Sequence, residues 1–223
     1  MNEEILAKAT VLSPSLRYSA EGAACGQTPP QNFVRLKDVA PRIKQDMRYA
    51  GSENFMGRPV PGYCAGQCWL RREVAEAVAA AQKDAESQGL GLVVYDCYRP
   101  QQATRAFMAW AEDPADQAMK AAYYPHLDKQ ALFELGYIAK ASAHSTGVAV
   151  DLALIGLDFG TPFDLFDAAS GTNNPAIAET AKQNRAKLDG LMRRHGFVNF
   201  DKEWWHFTLE GLEDVAPHDF EVR

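Results

Sequence analysis

The chain has 223 residues, 47% hydrophobic and 23% charged, enough apolar material for one globular domain with a sizeable core and no need of metal or disulfides merely to fold. A net charge of -6 without any basic stripe excludes an electrostatic nucleic-acid partner and points to a small molecule or peptide. No apolar run approaches the roughly 20 residues that span a bilayer, so no membrane association is expected.

Residues 1–32 show little periodicity and end in Gly26-Gln27-Thr28-Pro29-Pro30, a breaker-rich stretch that reads as an arm or linker ahead of a domain covering 33–223. Met1–Thr10 lacks the basic start and long apolar stretch of a signal peptide, so the expected location is the cytoplasm. Cys25, Cys64, Cys68 and Cys97 are an even set. They are buried thiols in that case and bridges in an oxidising compartment such as a periplasm, which is the alternative location. A cysteine-bound metal at Cys64 and Cys68 lacks the second pair it would need.

Between Leu70 and Leu90, Val74, Val78, Ala81 and Ala85 recur at helical spacing, with Gly89 and Gly91 as the stop. Leu92–Tyr95 reads as a short buried strand, and Asp96-Cys97-Tyr98-Arg99-Pro100 as a turn opening a helix with Ala103, Phe107 and Trp110 inward. Glu112–Gln130, polar and holding Pro114 and Pro125, reads as a loop. Val148–Leu154 has strand alternation that puts Ala149 and Asp151 on one face. His144 falls on the other face unless the chain bends, and Gly147 permits that bend because glycine accepts positive φ. A long helix is predicted over Pro175–His195, with Ile177, Ala181, Leu188 and Leu191 inward and Gly196 as stop. Phe197–Phe200 and Trp204–Leu209 read as a closing strand pair. This order gives an α+β fold in a single domain, a central mainly antiparallel sheet flanked by helices.

His144 and His206 stand out among the histidines because each has an acidic residue at a short offset, Asp151 and Glu203 respectively. His126, His195 and His218 lack such company and read as loop, helix-end and tail residues. An aspartate in an apolar strand is costly to bury without a cation or donors. Two imidazoles and one carboxylate form a three-ligand zinc set that leaves a fourth position for water, placing the metal at the sheet. Glu203 beside Trp204 and Trp205 has the apolar neighbours that raise a carboxyl toward the range useful for a base.

The pattern Ser-x-His-x-x-Gly-x-Ala-x-Asp followed by Glu-x-Trp-His resembles the zinc D-alanyl-D-alanine dipeptidases. The resemblance extends from Asp46-Met47-Arg48-Tyr49-Ala50 and Asn54-Phe55-Met56-Gly57 through Tyr98-Arg99-Pro100 to Gly160-Thr161-Pro162-Phe163-Asp164. It implies hydrolysis of D-Ala-D-Ala, in cell-wall dipeptide turnover or glycopeptide resistance, with one Zn²⁺ per chain bound by His144, Asp151 and His206. It further implies Glu203 as general base, Arg99 as the cation holding the oxyanion, and Asp164 as the anion receiving the substrate ammonium. Ser142 and Tyr49 are the remaining substrate contacts that it suggests. Two rival readings share the ligand pattern: a D,D-carboxypeptidase or endopeptidase acting on peptidoglycan stems, and a non-catalytic zinc-containing binding domain.

Overall fold

A computed structural model describes residues 28–212 and 215–223 of the chain. The expected arm, residues 1–32, lies outside the described residues as far as residue 27. From there the elements run β1 (Phe33–Arg35), α1 (Leu36–Val39), β2 (Lys44–Gln45), β3 (Trp69–Arg71), α2 (Arg72–Ser87), β4 (Leu92–Asp96), α3 (Gln101–Glu112), α4 (Lys120–Tyr123), α5 (Lys129–Glu134), β5 (Ala149–Leu154), α6 (Glu179–Arg193), β6 (Phe197–Asn199) and β7 (His206–Leu209).

The main sheet has five strands in the order β2-β4-β5-β7-β6. Only β2 with β4 is parallel; the other pairs are antiparallel. β1 and β3 form a separate antiparallel pair. All six residues of the central strand β5 are buried, so its carboxylate sits where water cannot solvate it. Helix α2 turns Val74, Val78, Ala81 and Ala85 inward, as the 3.6-residue period requires. It starts at Arg72, because Leu70 is used in β3. Its Gln82 accepts the Leu92 N–H at 2.8 Å, tying the helix to the start of β4.

Three elements depart from the sequence reading. The polar stretch Glu112–Gln130 holds α4 and the start of α5. There Lys129, an apparently surface residue, is buried with its ammonium donating to the carbonyls of Trp110 and Asp113 at 2.7 and 2.8 Å. Helix α6 begins at Glu179, leaving Ile177 in the preceding turn; Ala181, Leu188 and Leu191 are inward. Trp204 and Trp205 belong to the turn before β7, although both are buried.

Register sets up the functional region. Asp151 on β5 pairs with His206 on β7. On the other side Val94 pairs with Leu152, but the next pair is Asp96 with Asp151, a β-bulge that leaves Tyr95 as the extra residue. Directly opposed residues point to the same face, so Asp96, Asp151 and His206 form one row across three strands. His144 arrives from a 3-10 turn, Ala143–Thr146, that Gly147 closes at φ 78°. The bend expected of Gly147 is therefore present.

Candidate active site

The side chains of Tyr49, Arg99, Ser142, His144, Asp151, Asp164, Glu203 and His206 all line one cavity of about 270 Å³. All eight are residues to which the sequence points, and the fold brings them together. Phe55, Phe107, Tyr137 and Phe166 supply aromatic parts of its wall.

In the candidate metal-ligand cluster each imidazole is oriented by a partner of its own. His144 Nδ1–H donates to the Cys97 carbonyl at 2.7 Å, which leaves the Nε2 lone pair facing the cavity. His206 Nδ1 faces inward while its Nε2 lies 3.4 Å from Thr208 Oγ1. The three inward atoms are separated by 3.0 Å (His144 Nε2 to His206 Nδ1), 3.0 Å (His206 Nδ1 to Asp151 Oδ1) and 3.3 Å (His144 Nε2 to Asp151 Oδ1). Bonds of about 2.0–2.1 Å to a tetrahedral metal put its ligands about 3.3 Å apart. The residues fit such an ion, since three converging lone pairs repel one another unless a cation lies among them. Asp151 responds accordingly: burial opposes its charge, yet the two imidazoles hold its carboxyl below the ordinary range.

Beside the cluster stands an unexpected residue. Asp96 is fully buried and accepts from Arg99 Nε at 3.0 Å and from Tyr63 Oη at 2.6 Å, with Arg99 Nη2 at 2.9 Å. The Arg99 guanidinium is 4.0 Å from Asp151 Oδ2 and lies over the rings of Tyr49 and Phe107 at 5.2 and 5.0 Å. Burial works against its charge, but Asp96 holds its pKa well above the usual value. The bulge on β4 produces this arrangement, and no motif in the sequence announces it.

Burial drives the carboxyls of Glu203 and Asp164 toward neutrality, and it raises Asp96 as well, against the pull of Arg99. Glu203 is pushed up to about 7, burial outweighing the pull of His206. Asp164 is pushed well above its usual range, first by burial and then by the charge of Asp151. Among the described residues its oxygens accept only from the Tyr49 hydroxyl, at 3.1 and 2.9 Å, and no cation pairs with it. Asp164 also has φ 63°, the one positive φ of a non-glycine among the described residues, a strain that recurs where a side chain is held for function. Ser142 Oγ accepts from the His144 N–H at 3.2 Å and so caps the turn that carries the imidazole.

A triad of metal donors with a raised carboxyl and a fixed guanidinium facing the same small cavity, on a mainly antiparallel sheet, is the organisation of a single-ion metallopeptidase. Sequence comparison narrows the class: residues 30–221 match the D-ala-D-ala dipeptidase family, and the chain belongs to it. It is 37% identical over 200 residues to a D-alanyl-D-alanine dipeptidase of Enterococcus faecium, covering 86% of this chain and 98% of that one. It is also 35% identical over 195 residues to one of Streptomyces coelicolor, covering 85% and 96%. The similarity to one of Escherichia coli K12 is 33% over 182 residues, covering 79% and 84%.

Proposed function

We propose that the protein hydrolyses D-alanyl-D-alanine to two D-alanines, with one zinc ion held by His144, Asp151 and His206. Zinc bound there would supply an acidified water and an electrophilic partner for the scissile carbonyl. Glu203 takes the proton of the attacking water and hands it to the leaving amine. A carboxyl raised to about 7 can do both near neutral pH. Arg99 faces the negative charge that develops on the carbonyl oxygen. Fixed by Asp96 and by two rings, it needs no reorganisation as that charge grows. Asp164 receives the substrate ammonium, and Tyr49 holds its two oxygens in place. Ser142 acts by holding the turn of His144 at the cavity wall.

The observation that carries this reading is that the buried, cation-free Asp164 shares a cavity of about 270 Å³ with the three donors. A carboxyl that burial makes hard to ionise becomes an effective anion when an ammonium arrives. That ammonium then fixes how far the amino terminus can lie from the reacting carbonyl. The names of the relatives point to the same dipeptide. The decisive experiment compares D-alanine release from free D-Ala-D-Ala and from a pentapeptide ending in D-Ala-D-Ala. The reading expects cleavage of the first alone; preferential cleavage of the pentapeptide would establish the carboxypeptidase alternative instead.

Cys68 and Cys97 are buried and bonded to each other, and a bond of this kind persists in an oxidising compartment such as a periplasm, the alternative to the cytoplasmic location. Alkylation of the two thiols only after denaturation with reductant is the expected result.

A further inference from the structure

Arg185 is the one arginine of α6 that faces inward, and it is 1% exposed. A buried guanidinium normally meets a carboxylate. Here its N–H groups go to neutral oxygens instead: Nε donates to the Phe159 carbonyl at 2.8 Å, Nη1 to Gly171 at 2.6 Å, and Nη2 to Ala169 at 2.9 Å and to Thr161 Oγ1 at 3.3 Å. Burial lowers its pKa to about 10, so it remains a cation at neutral pH.

All four acceptors belong to the single connection between β5 and α6, and Phe159 and Gly171 are the outermost of them. The guanidinium thus closes the loop on itself. Gly160 marks how tightly the loop is drawn onto α6: a Cβ there would lie 3.0 Å from the Cβ of Ala181, one turn before Arg185. Thr161 Oγ1 also accepts from Trp204 Nε1 at 2.9 Å and shares a hydrogen bond with Ser170 Oγ at 3.1 Å. Trp204 is the neighbour of Glu203, so the same network ties the loop to the segment carrying the base. Asp164 sits at the middle of this loop in its left-handed conformation. A non-glycine residue stays there only when its surroundings over-determine it.

We infer that Arg185 is a positioning residue for amino-terminus recognition: by clamping both ends of the 159–171 loop it holds the strained Asp164 with its carboxylate in the cavity. The inference rests on the reading of Asp164 as the ammonium acceptor. A fork of five donors can bridge carbonyls on both limbs of a loop, whereas the three donors of a lysine ammonium radiate from one point and cannot meet all four acceptors. Arg185 touches neither the substrate nor the metal donors, so its loss should act on binding before chemistry.

The test measures KM and kcat for D-Ala-D-Ala, and the preference for it over N-acetyl-D-Ala-D-Ala, in the zinc-loaded wild type, Asp164→Asn and Arg185→Lys. Arg185→Lys should raise KM at least about 10-fold while kcat changes by less than about 3-fold. It should also erode the preference for the free amine and leave zinc content unchanged. If Asp164→Asn shows these losses and Arg185→Lys does not, the clamp is refuted and the reading of Asp164 stands. If Asp164→Asn leaves KM and preference unchanged, that reading fails and the inference with it. A parallel loss of kcat on both substrates with KM preserved, or a loss of zinc, would make Arg185 merely structural. Should Arg185→Lys fail to fold, Thr161→Val, which removes the shared hydroxyl and keeps the side-chain shape, is held to the same outcomes.

Discussion

Gly147→Ala tests how the fold delivers His144 to its place. The residue has φ 78°, and left-handed backbone costs an alanine about 1–2 kcal/mol. A Cβ built there lies 2.4 Å from Phe33 Cε1 and 2.6 Å from Phe33 Cζ. That ring cannot retreat freely, because it is packed edge-on against Tyr98, His218 and Phe220 at centroid distances of 5.3, 5.1 and 5.1 Å. Overpacking of this kind adds about 1–3 kcal/mol. The combined loss of roughly 2–5 kcal/mol lowers the melting temperature by roughly 4–20 °C in a chain of this size. Gly156→Ala is the control, since Gly156 has φ 80° but nothing within 4 Å of the added Cβ, and it should show the backbone cost alone. Because the turn carries a metal donor, Gly147→Ala should also weaken zinc binding about 10-fold, the size of effect seen when ligand orientation is disturbed. Thermal denaturation and zinc titration of both variants supply the measurements. Equal melting temperatures and equal zinc affinities for the two would refute the argument that this contact and this bend place the imidazole.

Glu203→Gln should retain zinc and lose at least about 100-fold in kcat; near-normal turnover would remove Glu203 from the mechanism. In the wild type kcat/KM should rise with pH through a limb at or below about 7, because a bound cation lowers that carboxyl further, and the limb should be missing in Glu203→Gln. The same shift fixes a stability sign for the metal-free protein. The folded state keeps the Glu203 proton above the ordinary 4.5, so this contribution is whole below 4.5 and is lost as pH rises through about 7. Melting curves of the metal-free wild type against Glu203→Gln over that window report it. His206→Ala should lose both stoichiometric zinc and turnover, and elemental analysis that still finds one zinc per chain would take it out of the ligand set. Asp96→Ala leaves Arg99 buried without its partner and should cost about 3–5 kcal/mol of stability in denaturant unfolding, along with most of the turnover.

Much of the cavity can be read from the chain because its chemistry is local. His144, Gly147 and Asp151 lie within one turn and one strand, and strand parity alone demands the bend that Gly147 makes. Helices α2, α3 and α6 announce themselves through apolar spacing. What the sequence hides depends on distant pairing. Asp96 looks like an ordinary turn residue until Arg99, Tyr63 and Asp151 are brought around it. Arg185 has the spacing of an inward position, but a charged residue there reads as solvent-facing unless its carbonyl partners are known. Helices α4 and α5 escape because Pro114 and Pro125 break the periodicity, and because an aliphatic lysine stem does the burying at position 129. The partner of Cys68 is equally a matter of tertiary contact, since β3 and the end of β4 are distant in sequence.

The bulge in β4 has an evolutionary consequence. Were the strand one residue shorter between Val94 and Asp96, ordinary pairing would set Asp96 against Asp151 with no irregularity to aim it. Were the irregularity ironed out at the present length, the phenol of Tyr95 would stand opposite Asp151, and the guanidinium would lose its anchor. The negative charge next to the metal donors is thus encoded by a residue count as much as by a residue type. A change of one residue in the length of β4 therefore alters how Asp96 is presented to Arg99 and Asp151 even where every residue type is kept.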